Sequence, residues 1–335
     1  MRAVVVERPG AAELQRVPRP EPGPGEVLVR VAAAGICGSD VEVLEGRRPP
    51  RFVRYPIIPG HEWAGIVESV GPGVEGVDEG APVVAEGFRT CGDCSRCREG
   101  RTNLCEVEYA ETGFTHAGAF AEFVCVPSQL VHELPAGSDL AAAALLEPAA
   151  CVAQGLLEVD LRPGLTVAVV GSGTLGLLAV ALLKRMSPKR LALVGTRAPR
   201  LELGVAMGAT ETWNVRRDEY PEGGFDLVFE AAGTPSGARA AAELARRGGT
   251  VVLEGISGQP APIDADTVVL GHLSVQGVFG ASRNAWRWVT ELFSAGLLDT
   301  EPLVSHSFPL EEHAAAFDAL TDRRGDALKV QLRPQ

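Results

Sequence analysis

The apolar run Val167-Ala168-Val169-Val170, continued at once by Gly171-Ser172-Gly173-Thr174-Leu175-Gly176 and an apolar stretch to Met186, constrains this chain more than any other feature. Consecutive apolar residues before a glycine turn read as a strand covered on both faces. The alternation goes on: Leu191 to Val194 reads as a strand, Arg200 to Met207 as a helix and Phe225 to Phe229 as a strand. Ala238 to Arg246 then reads as a helix and Thr250 to Leu253 as a strand. Strands alternating with helices of about ten residues predict the α/β class, a doubly wound parallel sheet.

In that setting the pattern G-x-G-x-x-G describes a dinucleotide site. Gly171 makes the tight turn, Gly173 lets a pyrophosphate approach the backbone, and Gly176 brings helix against strand. Thr174 and Leu175 open the helix, whose unpaired N–H groups and dipole face the phosphates. An acid after the second strand would hold the adenosine ribose and repel a 2′-phosphate. Here Val194 is followed by Gly195, Thr196 and Arg197, with Arg200 close behind. Two guanidiniums suit a phosphate, so NADP(H) is favoured over NAD(H); the plainer reading makes Arg197 and Arg200 solvated residues at a helix start.

With 335 residues, at roughly 150 per domain, a second domain is expected. Residues 1–149 supply it, with strand-like Val27 to Val31 and Gly65 to Val70 among Pro-Gly turns and an extended connector over Arg16 to Gly25. Residues 150–284 form the nucleotide domain, and 285–335 carry helices around Ala285 to Ser294 and Leu310 to Leu320.

A formal charge of −12 disfavours nucleic acid and anionic membranes as partners. No apolar run approaches the ~20 residues that span a bilayer. The start, charged by Arg2 and Glu7, does not read as a signal peptide, so a cytoplasmic, reducing location is expected. Seven cysteines then need a reason other than disulfides.

Four of them supply one. Cys91, Cys94, Cys97 and Cys105 are spaced C-x2-C-x2-C-x7-C, which suits four thiolates closing a tetrahedron around structural Zn2+. Iron–sulfur clusters usually show other spacings. A second set is scattered: Cys37, with Ser39 two residues on, then His61-Glu62-Trp63, then Glu147-Pro148. A lone cysteine is commonly a small buried hydrophobe, and a lone histidine a hydrogen-bonded core residue. Taken together, a thiol, an imidazole and a carboxylate from three elements would leave zinc the open position that catalysis requires. Trp63 reads equally as a pocket wall or as core packing.

Together these residues resemble the zinc-dependent medium-chain dehydrogenase/reductase family, the alcohol and polyol dehydrogenases, from end to end. Gly60 to Gly71 matches the signature G-H-E-x-x-G-x-V-x-x-V-G, and the cysteine lobe and glycine fingerprint follow in the family's order. Ser305 to Leu310 and Gly325 to Val330 look like its usual ending. The resemblance implies a GroES-like β-rich catalytic domain with an inserted Rossmann domain, 285–335 returning to the first. It implies two zinc ions per chain: a catalytic one on Cys37, His61 and Glu147, and a structural one on the four-cysteine lobe. Glu62 would stand behind the ligands and bind transiently, and Ser39 would pass on the substrate's hydroxyl proton. Cys151 is the rival third ligand, but Glu147 followed by Pro148 is the variant of polyol, sugar and threonine dehydrogenases.

Many relatives place histidine where this chain has Glu42, so Glu42 is either the outer relay group or an exposed helical acid. The activity implied is hydride transfer between a secondary alcohol (polyol, sugar or cyclitol) and NAD(P). Threonine-type and simple alcohol dehydrogenases are the near alternatives. A zinc-free quinone or enoyl reductase and a zinc-ribbon binding protein are the distant ones. The partner is then a small alcohol or carbonyl compound, and a homodimer or homotetramer is usual in the family.

Overall fold

The computed structural model describes residues 1–219, 223–322 and 325–334. Its contacts divide the chain into two units, Met1–Glu147 with Ala281–Gln335, and Pro148–Gly280.

The second unit is built on six parallel strands. Their order across the sheet is Glu211–Asn214, Arg190–Gly195, Thr166–Val170, Phe225–Glu230, Ala245–Leu253, Ser274–Gly277. In chain order this is 3-2-1-4-5-6, the doubly wound Rossmann arrangement. The central strands are apolar throughout because helices cover both faces: Val167, Ala168, Val169, Leu191, Ala192 and Leu193 are all buried. Sequence periodicity places a helix over Ala238 to Arg246, whereas the structure has Pro235–Leu244 and then a strand from Ala245. The start moves back because the Thr234 hydroxyl accepts the Gly237 N–H at 3.0 Å and Pro235 fits the first turn. It stops early because Ala245 pairs with Phe225 and continues into the sheet.

The first unit is a seven-stranded sheet with the hairpin Arg2–Arg8/Ala11–Arg16 beside it. Glu26–Ile36 lies at its centre, antiparallel to Glu62–Val70, Phe123–Pro127 and Lys329–Arg333. Val304–Pro309 extends the sheet parallel to Lys329–Arg333, so segments after the nucleotide unit add to the sheet that Glu26–Ile36 begins. The inward alternation of Val27, Val29, Val31 and Val67 builds one core with Phe120, Phe317, Val330 and Leu332. Trp63 is buried in that core, so its packing reading is the one realised.

The return segment is also tied by charge. Arg283, opening the helix Arg283–Ser294, donates to the buried Glu86 at 2.9 Å, and its backbone N–H donates to the Thr102 hydroxyl at 2.9 Å. Among the described residues, no helix is long and apolar enough to cross a membrane.

Phe120 is fully buried, and its ring meets Phe317 of the return segment edge-on at 6.0 Å. Phe120→Ala is expected to cost about 3–5 kcal/mol of unfolding free energy in urea titration. A loss below about 1 kcal/mol would show that this junction does not hold the unit together.

Candidate active site

Strand register brings the chemistry together. Gly35 pairs with Glu62 and Ile36 with Val330, so the ends of three strands lie side by side. Cys37, His61, Glu62 and Lys329 all emerge at that edge. The ligand atoms of Cys37, His61 and Glu62 lie within 4.8 Å of one another.

The next turn supports this set. Asp40, with no exposed surface, stands in the first turn of the helix Gly38–Glu45 and accepts the Cys37 N–H at 2.8 Å and the Gly60 N–H at 3.3 Å. Its Oδ1 lies 3.4 Å from His61 Nδ1, while the Ser39 hydroxyl lies 3.4 Å from His61 Nε2. A carboxylate behind one ring nitrogen fixes the ring and leaves the other nitrogen for a ligand. Burial disfavours charge on the imidazole, yet Asp40, Cys37 and Glu147 together raise the His61 pKa well above that of a free histidine.

Glu62 is nearly inaccessible and carries a buried partner, Lys329 Nζ at 2.5 Å. A side chain at position 35 would collide with the Glu62 carboxylate, which is why glycine stands there. Burial lowers the Lys329 pKa, but Glu62, Cys37 and Glu147 outweigh it and the net shift is upward. Glu147 is half-buried and lies outside the group within 4.8 Å, though close enough to act electrostatically on His61, Lys329 and Glu111. Cys151 belongs to the other unit. Glu42 is held by guanidiniums, Arg48 Nη1 at 3.5 Å and Arg47 Nη1 at 3.9 Å.

Sequence reasoning missed four participants. Asp40 had a signal, an acid three residues into a helix start; Lys329 lay in the family-like ending with nothing to mark its partner, and Arg48 had no signal. Nor did Glu111, a buried carboxyl that burial pushes up to about 8 against the lowering effect of His61.

The donor chemistry fits zinc at both places. Thiol, imidazole and carboxylate match a borderline-soft cation, and the nearby acids Asp40 and Glu147 act on the His61 imidazole in the sense that favours positive charge. In the lobe, the Cys91 and Cys97 sulfurs are 3.9 Å apart and those of Cys105 and Cys91 3.6 Å. Four bonds of about 2.3 Å in a tetrahedron place sulfurs about 3.8 Å apart. The N–H groups of Cys91, Asp93 and Cys94 point at these sulfurs. Backbone N–H groups of Glu106 and Cys97 lower Cys94 to about 6, while burial and the neighbouring thiols push Cys97 to about 12.

The second unit holds a cavity of about 520 Å³ lined by Gly171, Gly173, Gly195, Thr196, Arg197 and Arg200. It opens where the strand order reverses, between Thr166–Val170 and Phe225–Glu230. A side chain at 171 (φ 112°) would lie 2.6 Å from Ala232 N, and one at 176 would collide with Gly171 O. Gly173, with open space beside it, starts the helix Thr174–Lys184. Leu175 opens that helix beside Thr174. Ser172 fills the space left by the absent Gly195 side chain. Thr234 and Arg239 also line the cavity and were not anticipated.

Known proteins match along the whole chain. Residues 23–136 match the family model described as Alcohol dehydrogenase GroES-like domain, and residues 174–295 that described as Zinc-binding dehydrogenase. The L-threonine 3-dehydrogenase of Bacillus subtilis (strain 168) is 36% identical over 96% of this chain and 95% of its own. The sorbitol dehydrogenase of the same organism is 31% identical over 100% and 97%. A candidate zinc-binding dehydrogenase from Sinorhizobium meliloti 1021, solved with NADP bound, superimposes with a TM-score of 0.91 at 31% identity, covering 99% of each chain.

The Lys329–Glu62 pair generates a stability prediction. Lys329→Met leaves a buried carboxylate without its partner and is expected to cost about 3–5 kcal/mol in denaturant unfolding. Combining it with Glu62→Met should recover most of that loss; an additive double variant would show that the two groups do not compensate each other.

Proposed function

The chain belongs to the zinc-dependent medium-chain dehydrogenases, NAD(P)-dependent oxidoreductases, and we propose that it moves a hydride between a secondary alcohol of the polyol, sugar or cyclitol kind and NADP(H). The observation that carries this reading is the meeting, within 4.8 Å, of the half-buried Cys37 thiol with the buried His61 imidazole and Glu62 carboxylate, beside the Ser39 hydroxyl.

Cys37 and His61 would hold the catalytic zinc, with Glu147 as third ligand. Glu62 is the poorer third ligand because Lys329 already engages its carboxylate. Cys91, Cys94, Cys97 and Cys105 would hold a second zinc with no open position, a staple for their loop. Bound zinc supplies Lewis acidity toward an alcohol oxygen, and the nicotinamide supplies the hydride acceptor.

The protein's own groups do the rest. Asp40 keeps the His61 ring oriented. Ser39 accepts the hydroxyl proton of the substrate and passes it outward to water or to Glu42, which Arg48 and Arg47 hold in place. Gly171, Gly173 and Gly176 seat the pyrophosphate on the helix that Thr174 and Leu175 begin. Arg197 and Arg200, following Gly195 and Thr196 where an acid would repel it, favour the 2′-phosphate of NADP(H) in a cavity whose lining holds three guanidiniums, with Arg239, to one carboxylate, Glu243. A β-hydroxy amino acid is the second reading, supported by the 36% identity to an L-threonine 3-dehydrogenase. A panel of polyols, sugars, cyclitols and L-threonine, assayed with each cofactor, decides between them.

Ser39→Ala should lower kcat by roughly 100-fold with zinc content unchanged, measured by steady-state kinetics beside metal analysis. An undiminished kcat removes Ser39 from the proton path. Arg197→Ala should raise KM for NADP+ by about tenfold while moving KM for NAD+ far less. Equal effects on both cofactors would leave Arg197 no part in phosphate recognition.

A further inference from the structure

Glu111 has no task in the chemistry described above. It starts a turn that folds over the segment carrying His61. The Gly118 N–H donates to Ile58 O at 2.7 Å, and Ala119 N–H to Gly60 O at 2.9 Å. A side chain at Gly113 would lie 2.9–3.1 Å from the backbone of Gly60 and His61. This close approach seats the Phe114 ring against the His61 imidazole, centroids 4.8 Å apart, with the Arg48 guanidinium 4.3 Å above Phe114.

Three residues before that ring, the Glu111 side chain is 6% exposed. Of the charges acting on it, His61 is the strongest, followed by Glu147, Arg48 and Asp40. Among the described residues it forms no ion pair; the Tyr109 hydroxyl bonds to its Oε2. Its Oε1 faces Gly87, where even a Cβ would stand 3.3 Å away.

A buried carboxyl is costly unless hydrogen-bonded or paired. Here one acceptor oxygen is left beside a glycine, close to the ligand whose ring the same turn covers. Such an oxygen suits a hydroxyl donor carried by the substrate. Resting on the dehydrogenase reading above, we infer that Glu111 is a specificity-determining residue, accepting a hydrogen bond from a hydroxyl adjacent to the one oxidised and selecting vicinal diols over simple secondary alcohols.

A site built to bond a hydroxyl rejects the analogue lacking it, because its buried polar group is left unpaired. The test compares 2,3-butanediol with 2-butanol, which differ by that hydroxyl. The wild-type holoenzyme should show a kcat/KM for the diol roughly tenfold or more above that for the monoalcohol. Glu111→Leu should cut that ratio about tenfold, mainly through KM for the diol, and Glu111→Gln, which keeps an acceptor oxygen, should restore part of it. A ratio unmoved in Glu111→Leu, with both alcohols losing together, overturns the inference and leaves Glu111 a structural residue of the turn. If neither variant folds, the wild type still decides, since equal efficiency toward the two alcohols overturns it as well. Failure of the wild type to oxidise any alcohol of the wider panel with either cofactor is a different outcome; it removes the dehydrogenase reading itself.

Discussion

Everything in the catalytic unit depends on matching charge where water is excluded. Asp40 has no exposed surface and Glu62 almost none, and both surround an imidazole that is itself buried. Such groups are tolerated only when each meets an opposite charge or a donor. Asp40 takes two backbone N–H groups, Glu62 takes Lys329, and His61 is held toward its charged form by its neighbours. The geometry of the site and the stability of the unit are therefore two readings of one electrostatic arrangement.

The architecture explains how such a cluster is assembled from positions far apart in the chain. Antiparallel register allows no gradual adjustment, because a slip of one residue turns every side chain to the opposite face. With Gly35 opposite Glu62 and Ile36 opposite Val330, Cys37, His61 and Lys329 cannot avoid one another. The glycine at 35 completes the arrangement by leaving room for the Glu62 carboxylate. The nucleotide unit works by a different rule. Its cavity lies where the strand order reverses, and its glycines are needed because backbone approaches backbone there.

The two units differ in how much of them could be read from residues alone. The parallel sheet was legible strand by strand, since continuous apolar runs and a glycine turn carry a local signal. Its edge strands Glu211–Asn214 and Ser274–Gly277 were not, because four-residue strands that are half-buried or exposed have little apolar pattern. The last helix was read as starting at Leu310, whereas Leu310–Glu312 is a 3-10 turn and the α-helix is His313–Thr321. In the active site, residues with a motif were found and their partners were not. Lys329 lay within the family-like ending Gly325 to Val330, but its pairing with Glu62 comes from strand register, and Glu111, placed by a folded turn, leaves no trace in local sequence. Asp40 was the one overlooked partner with a short-range mark, its position in the first helical turn.

Because Lys329–Arg333 lies between Glu26–Ile36 and Val304–Pro309 in the finished sheet, synthesis on the ribosome imposes an order. A nascent chain emerges with Cys37, His61 and Glu62 first, then the entire nucleotide unit, and only afterwards the lysine that pairs with Glu62. Until then the early half must wait in an unfinished form, with an open strand edge and an unbalanced carboxylate. The nucleotide unit has no such dependence, because every strand of its sheet comes from one uninterrupted stretch of chain.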